Sequence, residues 1–186
     1  MNDEVALSED EILQYYDDMG RMIDHLVDAL GDASSPMRRA LILADIDQYP
    51  ETTQTEISTR LNIAKSAVSR HVDWLADHGC IQKTYGFHDA REIRLIIHPY
   101  SRKHLHYALA LVNFSYEHLK NILRTFILAF DNHKPSLREG KIMVTLSGSG
   151  DLSKKELMQS LYNGPAASDN RALDNLHDEG MIDKNA

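Results

Sequence analysis

Apolar residues in this chain recur mostly at helical spacing, and one stretch departs from it with strand composition. Ile12, Tyr16, Met19, Ile23, Leu26, Val27 and Leu30 fall three or four residues apart and line one face of a helix. Ser8, followed three residues later by Glu11, is a capping box that opens this helix. The segment Gly31 to Pro36 closes it. A second helix is predicted from Arg38 to Ile46, with Leu41, Ile42 and Ile46 inward, stopped before Pro50. Thr53 caps a short third helix that ends at Leu61, with Glu56 completing another capping box. After a tight turn at Asn62-Ile63, a fourth helix runs from Ala64 to His78, burying Val68, Val72 and Leu75, until Gly79 stops it. Ile81–Thr84 and Ile93–Ile97 then have strand composition, with Gly86–Ala90 bending between them. Two short helices joined by a brief turn and followed by a hairpin are the pattern of a winged helix-turn-helix.

Beyond the hairpin, Leu105, Leu109, Val112, Tyr116, Leu119, Leu123, Phe126 and Phe130 predict one long helix from Ser101 to about Phe130. Asp131–Pro135 reads as a short linker. The last stretch then echoes the middle of the chain. Leu157, Leu161, Leu173, Leu176, Gly180, Ile182 and Lys184 mirror Ile57, Leu61, Val72, Leu75, Gly79, Ile81 and Lys83, at offsets of 100 and then 101 residues, and Arg171 falls in the register of Arg70. This predicts a second helix-turn-helix-like module that ends where its wing would begin. The expected fold is therefore mainly α, a winged helix-turn-helix with one small β-hairpin. Its divisions are an N-terminal dimerisation helix (1–35), the winged helix (36–100), a dimerisation or linker helix (101–130) and the second module (131–186). A long helix ahead of a compact domain has little to bury against within its own chain, which points to a homodimer.

The net charge of −8 argues against a nucleic-acid binder until its distribution is considered. Residues 1–35 hold ten acids against Arg21 alone, whereas residues 51–104 hold eight cations against six acids. The acidity thus sits largely apart from the helix-turn-helix. No stretch approaches the roughly 20 apolar residues of a membrane span, and the acidic start Met1-Asn2-Asp3-Glu4 differs from the basic lead of a secretion signal. The single cysteine, Cys80, excludes an internal disulfide framework and fits a reducing cytoplasm. Placed at the start of a strand, Cys80 reads as a buried, inert thiol.

The segment from Gln54 to Gly79, with Lys65-Ser66-Ala67-Val68-Ser69-Arg70 at its centre, resembles the central motif of MarR-family regulators. Asp89-Ala90-Arg91, before Ile93–Pro99, is similar to that family's wing element. The resemblance implies a homodimer on a pseudo-palindromic duplex, often a repressor relieved by a small-molecule effector. A cleft between the long helices and the winged domain would hold such a compound. The second module lies outside the family pattern. It binds more DNA, sets dimer geometry or docks a protein partner, and its net charge of −2 favours packing or docking.

The DNA-binding candidates follow from chemistry. Ser66 and Ser69 are small and polar where a helix meets base edges, and Arg70 can bond guanine bidentately. Lys65 suits a phosphate near the helix start, as do Thr53 and Thr55. His88 and Arg91 sit on the wing, where arginine reads a narrow minor groove. Asp89 more naturally orients Arg91 or Arg94 than meets phosphate. His71 either touches DNA or covers the helix, and Trp74 reads as packing. Among the histidines, His104 and His106 point to different sides of a helix and His98 has no cysteine cluster beside it, so no metal or cofactor is expected. Gly148 and Gly150 lack the Lys-Ser/Thr pair of a phosphate loop and read as a loop in the second module. Without a nucleophile elbow, paired catalytic carboxylates or a zinc-protease motif, an enzyme is not expected. The rival reading from another class is a structural or partner-binding protein of tandem winged helices, as in chromosome-segregation accessory factors.

Overall fold

The computed structural model describes residues 8–130, 134–160 and 166–183. The acidic leader, most of the linker, Leu161 and Lys184 lie outside the described residues. Nine helices and one hairpin are described: α1 (Glu9–Leu30), α2 (Met37–Gln48), α3 (Gln54–Leu61), α4 (Lys65–Asp77), β1 (Ile81–Tyr85), β2 (Ile93–Ile97), α5 (Pro99–Ala110), α6 (Tyr116–Ala129), α7 (Leu137–Ser149), α8 (Lys154–Ser160) and α9 (Ala166–Asp178). Both capping boxes form as expected, Ser8 with Glu11 on α1 and Thr53 with Glu56 on α3. The strands pair antiparallel, from Ile81 opposite Ile97 to Tyr85 opposite Ile93. Only one hairpin face is buried, so Ile81, Leu95 and Ile97 join the core, Lys83 continues that face at its exposed margin, and Gln82 faces outward. Among the described residues no helix is long and apolar enough to cross a membrane.

Two expectations need correction. The stretch predicted as one helix from 101 to 130 is two, because Asn113 and Phe114 take left-handed backbone at φ 55° and 56°. Ser115 then starts α6 by accepting a hydrogen bond from His118 N–H at 3.1 Å. The apolar period runs straight across this break, which hid it. Gly148, read as a loop residue, lies inside α7, whose end comes at Gly150. At Gly148 an added Cβ would stand 3.0 Å from Tyr16 Cβ, so the glycine lets α7 lie close to α1.

The main core joins α1, the winged helix, α5, α6 and part of α7, with Ile23, Leu26, Ile42, Leu43, Ile46, Leu75 and Leu105 fully enclosed. The apolar stripe of α1 is covered within the chain by α5 and α7. The premise that α1 needs a second subunit to cover it is therefore not met. Its first two turns still leave Ile12, Leu13 and Tyr15 between 41% and 47% exposed.

A second cluster of Phe130, Ile142, Leu157, Ala172, Leu173 and Leu176 holds α7, α8 and α9 together. Hydrogen bonds there repeat those of the first helix-turn-helix. Thr53 N–H donates to Glu56 Oε2 at 2.8 Å, and Ser153 N–H donates to Glu156 Oε2 at 2.9 Å. Gly79 and Gly180 end their helices at φ 72° and 70°, and the next residue of each, Cys80 or Met181, donates back to Leu75 or Leu176 at 2.8 Å. The two sets meet reciprocally: Met37 N–H donates to Pro135 O and Leu137 N–H to Ser35 O, both at 2.9 Å. α1 packs on α7 while α6 packs on α2, so each leading helix lies on the other set's first helix. Such an exchange of equivalent contacts is the local signature of two-fold symmetry.

Candidate nucleic-acid interface

α4 is held from below by Val68, Val72 and Leu75, all fully buried. That burial turns Lys65, Ser66 and Arg70 outward, with Ser69 half-buried beside them. The N-cap of α4 is Ala64, which offers no side-chain cap, so the N–H groups of Lys65 and Ser66 have no capping side chain, while Ala67 N–H donates to Ala64 O at 2.9 Å. α3 differs. Thr53 is half-buried and its hydroxyl accepts from Glu56 N–H at 3.3 Å, while its own N–H is taken by the Glu56 carboxylate. Hydrogen bonds from the Thr53 N–H and the Thr52 hydroxyl hold that carboxylate below the usual range, so Glu56 stays charged at the start of α3. Thr55 is exposed and its carbonyl accepts from the Thr59 hydroxyl at 3.1 Å.

The wing is tied to α4 by an ion pair at 2.8 Å between Lys83 and Asp73. At its tip Asp89 Oδ1 accepts from Arg91 N–H at 2.9 Å, so the carboxylate shapes the turn that presents Arg91. Arg94 pairs instead with Glu92 at 3.0 Å. His88 and Arg91 are exposed, and Arg91 has no side-chain ion pair among the described residues. Sequence reasoning passed over Phe87, which stands 99% exposed at the tip, edge-on to His88. An apolar side chain beside an arginine suits insertion against a minor groove, and its place in a five-residue turn was the available signal.

Other cations of this segment face inward. Arg60 bonds Asp45 at 2.7 Å, and Lys120 joins the same fully buried carboxylate at 2.7 Å. Arg102 and His106 pair with the buried Asp47 at 3.0 and 2.8 Å. His98 caps α5 by accepting from Tyr100 N–H at 3.2 Å. Trp74 is packing: Arg39 lies 3.8 Å over its ring and His78 stacks on it at 3.8 Å. Cys80 is buried, and burial pushes its thiol up.

His71 turns toward a cleft of about 500 Å³ bounded by Arg38, Arg39, Arg70, Trp74 and Lys134. Burial, with these cations around it, pushes the imidazole down to about 4. His71 is thus neutral at physiological pH, which leaves Lys65, Arg70 and Arg91 as the outward cations among the residues proposed to meet DNA.

A reading helix with an uncapped start, a wing pinned beside it and an Asx turn aiming Arg91 form the arrangement that a family comparison resolves: residues 36–93 match the MarR family model. The matched segment spans the winged helix, which is similar to the MarR family there. That match supports a DNA-binding transcriptional regulator. The crystal structure of the YusO protein from Bacillus subtilis is similar at 18% identity, covering 74% of this chain and 89% of its own, with a TM-score of 0.41. No curated protein matches the chain.

Proposed function

We propose that the chain is a sequence-specific duplex-DNA regulator, a repressor, acting as a homodimer with α4 in the major groove and the wing beside it. The observation that carries this reading is the outward set Lys65, Ser66 and Arg70 on α4, with half-buried Ser69 beside them, together with Arg91 on a wing held by Lys83 and Asp73. Arg70 reads a base, worth ~1–3 kcal/mol of discrimination, and Lys65 meets phosphate. Thr53 and Thr55 contribute hydroxyl contacts at the flank, against the opposing charge of Glu56, and His88 supports Arg91. Exposed Ile12, Leu13 and Tyr15 at the free end of α1 supply an apolar seam for a second subunit.

The cleft beside His71 suits a small aromatic anion as effector, because it offers Trp74 and several cations and shares Arg70 with the reading face. Occupying it would draw Arg70 away from DNA. The C-terminal helices α7–α9 form the second helix-turn-helix-like module, and their reciprocal seam with α2 supports a role in setting the geometry of the first. That same repeat favours the second reading, a tandem helix-turn-helix platform for a protein partner.

Selection of bound duplexes from a random pool tests the main reading. Wild-type protein is expected to enrich a two-fold-symmetric motif, and Arg70→Ala with Arg91→Ala is expected to lose it. Folded wild-type protein that enriches nothing at low salt, with and without candidate aromatic acids, would overturn it in favour of the partner platform.

A further inference from the structure

We propose that His25, Asp28 and His104 form a binding site for a divalent transition-metal ion of the zinc class, joining α1 to α5. The imidazoles and the carboxylate each offer one ligand atom, and the three atoms lie within 4.8 Å of one another. His25 and Asp28 are three residues apart on α1 and so share a face. His104 comes from α5, which packs along that helix.

Three further observations favour a cation there. His104 Nδ1 is buried and has no hydrogen-bond partner among the described residues. A buried polar atom without a partner costs free energy, and a neutral imidazole nitrogen is a common metal ligand. Asp28 makes no ion pair among the described residues, so its charge is unspent. Finally, aromatic rings wall the site: Tyr107 lies 5.4 Å from His25 and 5.7 Å from His104, and Tyr100 lies 4.7 Å from His104.

Two nitrogens and a carboxylate oxygen match zinc and its neighbours better than calcium or magnesium, which prefer all-oxygen sets. Bonds of ~2.1 Å to a tetrahedral ion place ligand atoms about 3.4 Å apart, a contraction within reach of side-chain rotation. Three protein ligands leave the fourth position to water. The ion clamps α1 onto α5, and α5 begins two residues after β2 ends, so occupancy stiffens the base of the wing. The expectation of no metal rested on His104 and His106 pointing apart. They do, but the partner of His104 is His25, far away in sequence.

The test uses the full chain stripped of metal and titrated with cobalt(II), whose visible absorption reports tetrahedral nitrogen and oxygen ligation. Wild type is expected to take up one equivalent at micromolar cobalt and to melt at a higher temperature with zinc present. His25→Gln with His104→Gln is expected to weaken uptake about tenfold or more and to abolish the rise in melting temperature. His118→Gln, on the exposed face of α6, should change neither. Asp28→Asn supplies the same test should the double variant fail to fold. Absence of stoichiometric uptake by wild type, or uptake unchanged in the folded variants, overturns the site. Neither readout involves DNA, so the site stands or falls separately from the DNA-binding function.

Discussion

His71 lies on α4 half-buried against the cleft, and this sets a measurable pH dependence. In the unfolded chain its imidazole takes a proton near pH 6.5, and in the folded protein only near pH 4. Between those values the unfolded state holds the extra proton, so this residue's contribution to stability is lost as pH falls from about 6.5 toward 4. Urea midpoints at about pH 7 and about pH 5 should therefore differ more for wild type than for His71→Asn, and equal differences would contradict the half-buried placement among cations. A larger single-residue effect is expected at Asp45, which is fully buried between Arg60 and the buried Lys120. Asp45→Asn leaves two cations without their counter-charge, and loss of one member of a buried pair costs about 3–5 kcal/mol. Urea denaturation of the variant measures it directly. The Asp45 role was not legible in the sequence, because Arg60 and Lys120 look like surface cations until the fold puts both on one carboxylate, whereas covering the helix was one of the two readings the sequence left open for His71.

The capping boxes of α3 and α8 make a matched pair, since Ser153 repeats the hydrogen bonds of Thr53 one hundred residues on. Thr53→Ala and Ser153→Ala should each cost ~1 kcal/mol. Hydrogen exchange should place the first loss in α3 and the second in α8; no change at α8 after Ser153→Ala would argue that its cap is not a working copy. These elements show where sequence reading succeeds. From α1 to β2 each boundary carries a local chemical mark: Ser8, Pro50, Thr53, Asn62, Gly79 and the Gly86–Ala90 turn. Caps and turns act over three or four residues, so they survive in the sequence. The break at Asn113-Phe114 had a mark too, in Asn113 and Ser115, but the apolar period from Leu109 through Val112 to Tyr116 ran across it. The outward placement of Lys65, Ser66 and Arg70 was legible because burial of Val68, Val72 and Leu75 at helical spacing dictates which side of α4 faces out, and that of Arg91 because it sits in a polar turn. The His25–Asp28–His104 cluster was not, since it depends on which helices pack together.

The whole molecule carries −8, and the folded arrangement leaves few cations for DNA. Arg60, Arg94 and Lys83 are each committed to an acid, and Arg102 to Asp47. Lys65, Arg70 and Arg91 remain exposed on the face proposed to read DNA. Binding that neutralises phosphates releases counterions, and affinity falls with salt by about 0.9 logarithmic units per contact. One chain acting alone should then show a slope of roughly −3, and two chains on a two-fold site roughly −5. Arg91→Ala removes about one contact per chain, so it should flatten the slope by about 1 for a lone chain and about 2 for a homodimer. The reciprocal seam between α2 and α7 makes this distinction worth measuring, because it builds a two-fold arrangement of helix sets within a single chain. The second set does not repeat the basic reading face, having only Arg171 in the register of Arg70 and acids at Asp174 and Asp178 nearby. A pseudo-symmetric chain with one reading face still needs a second copy to engage a symmetric operator. A slope near −5 that Arg91→Ala flattens by about 2 would establish that copy on the DNA. A slope near −3, flattened by about 1, would mean that the chain reads a single half-site and that its second module faces a protein.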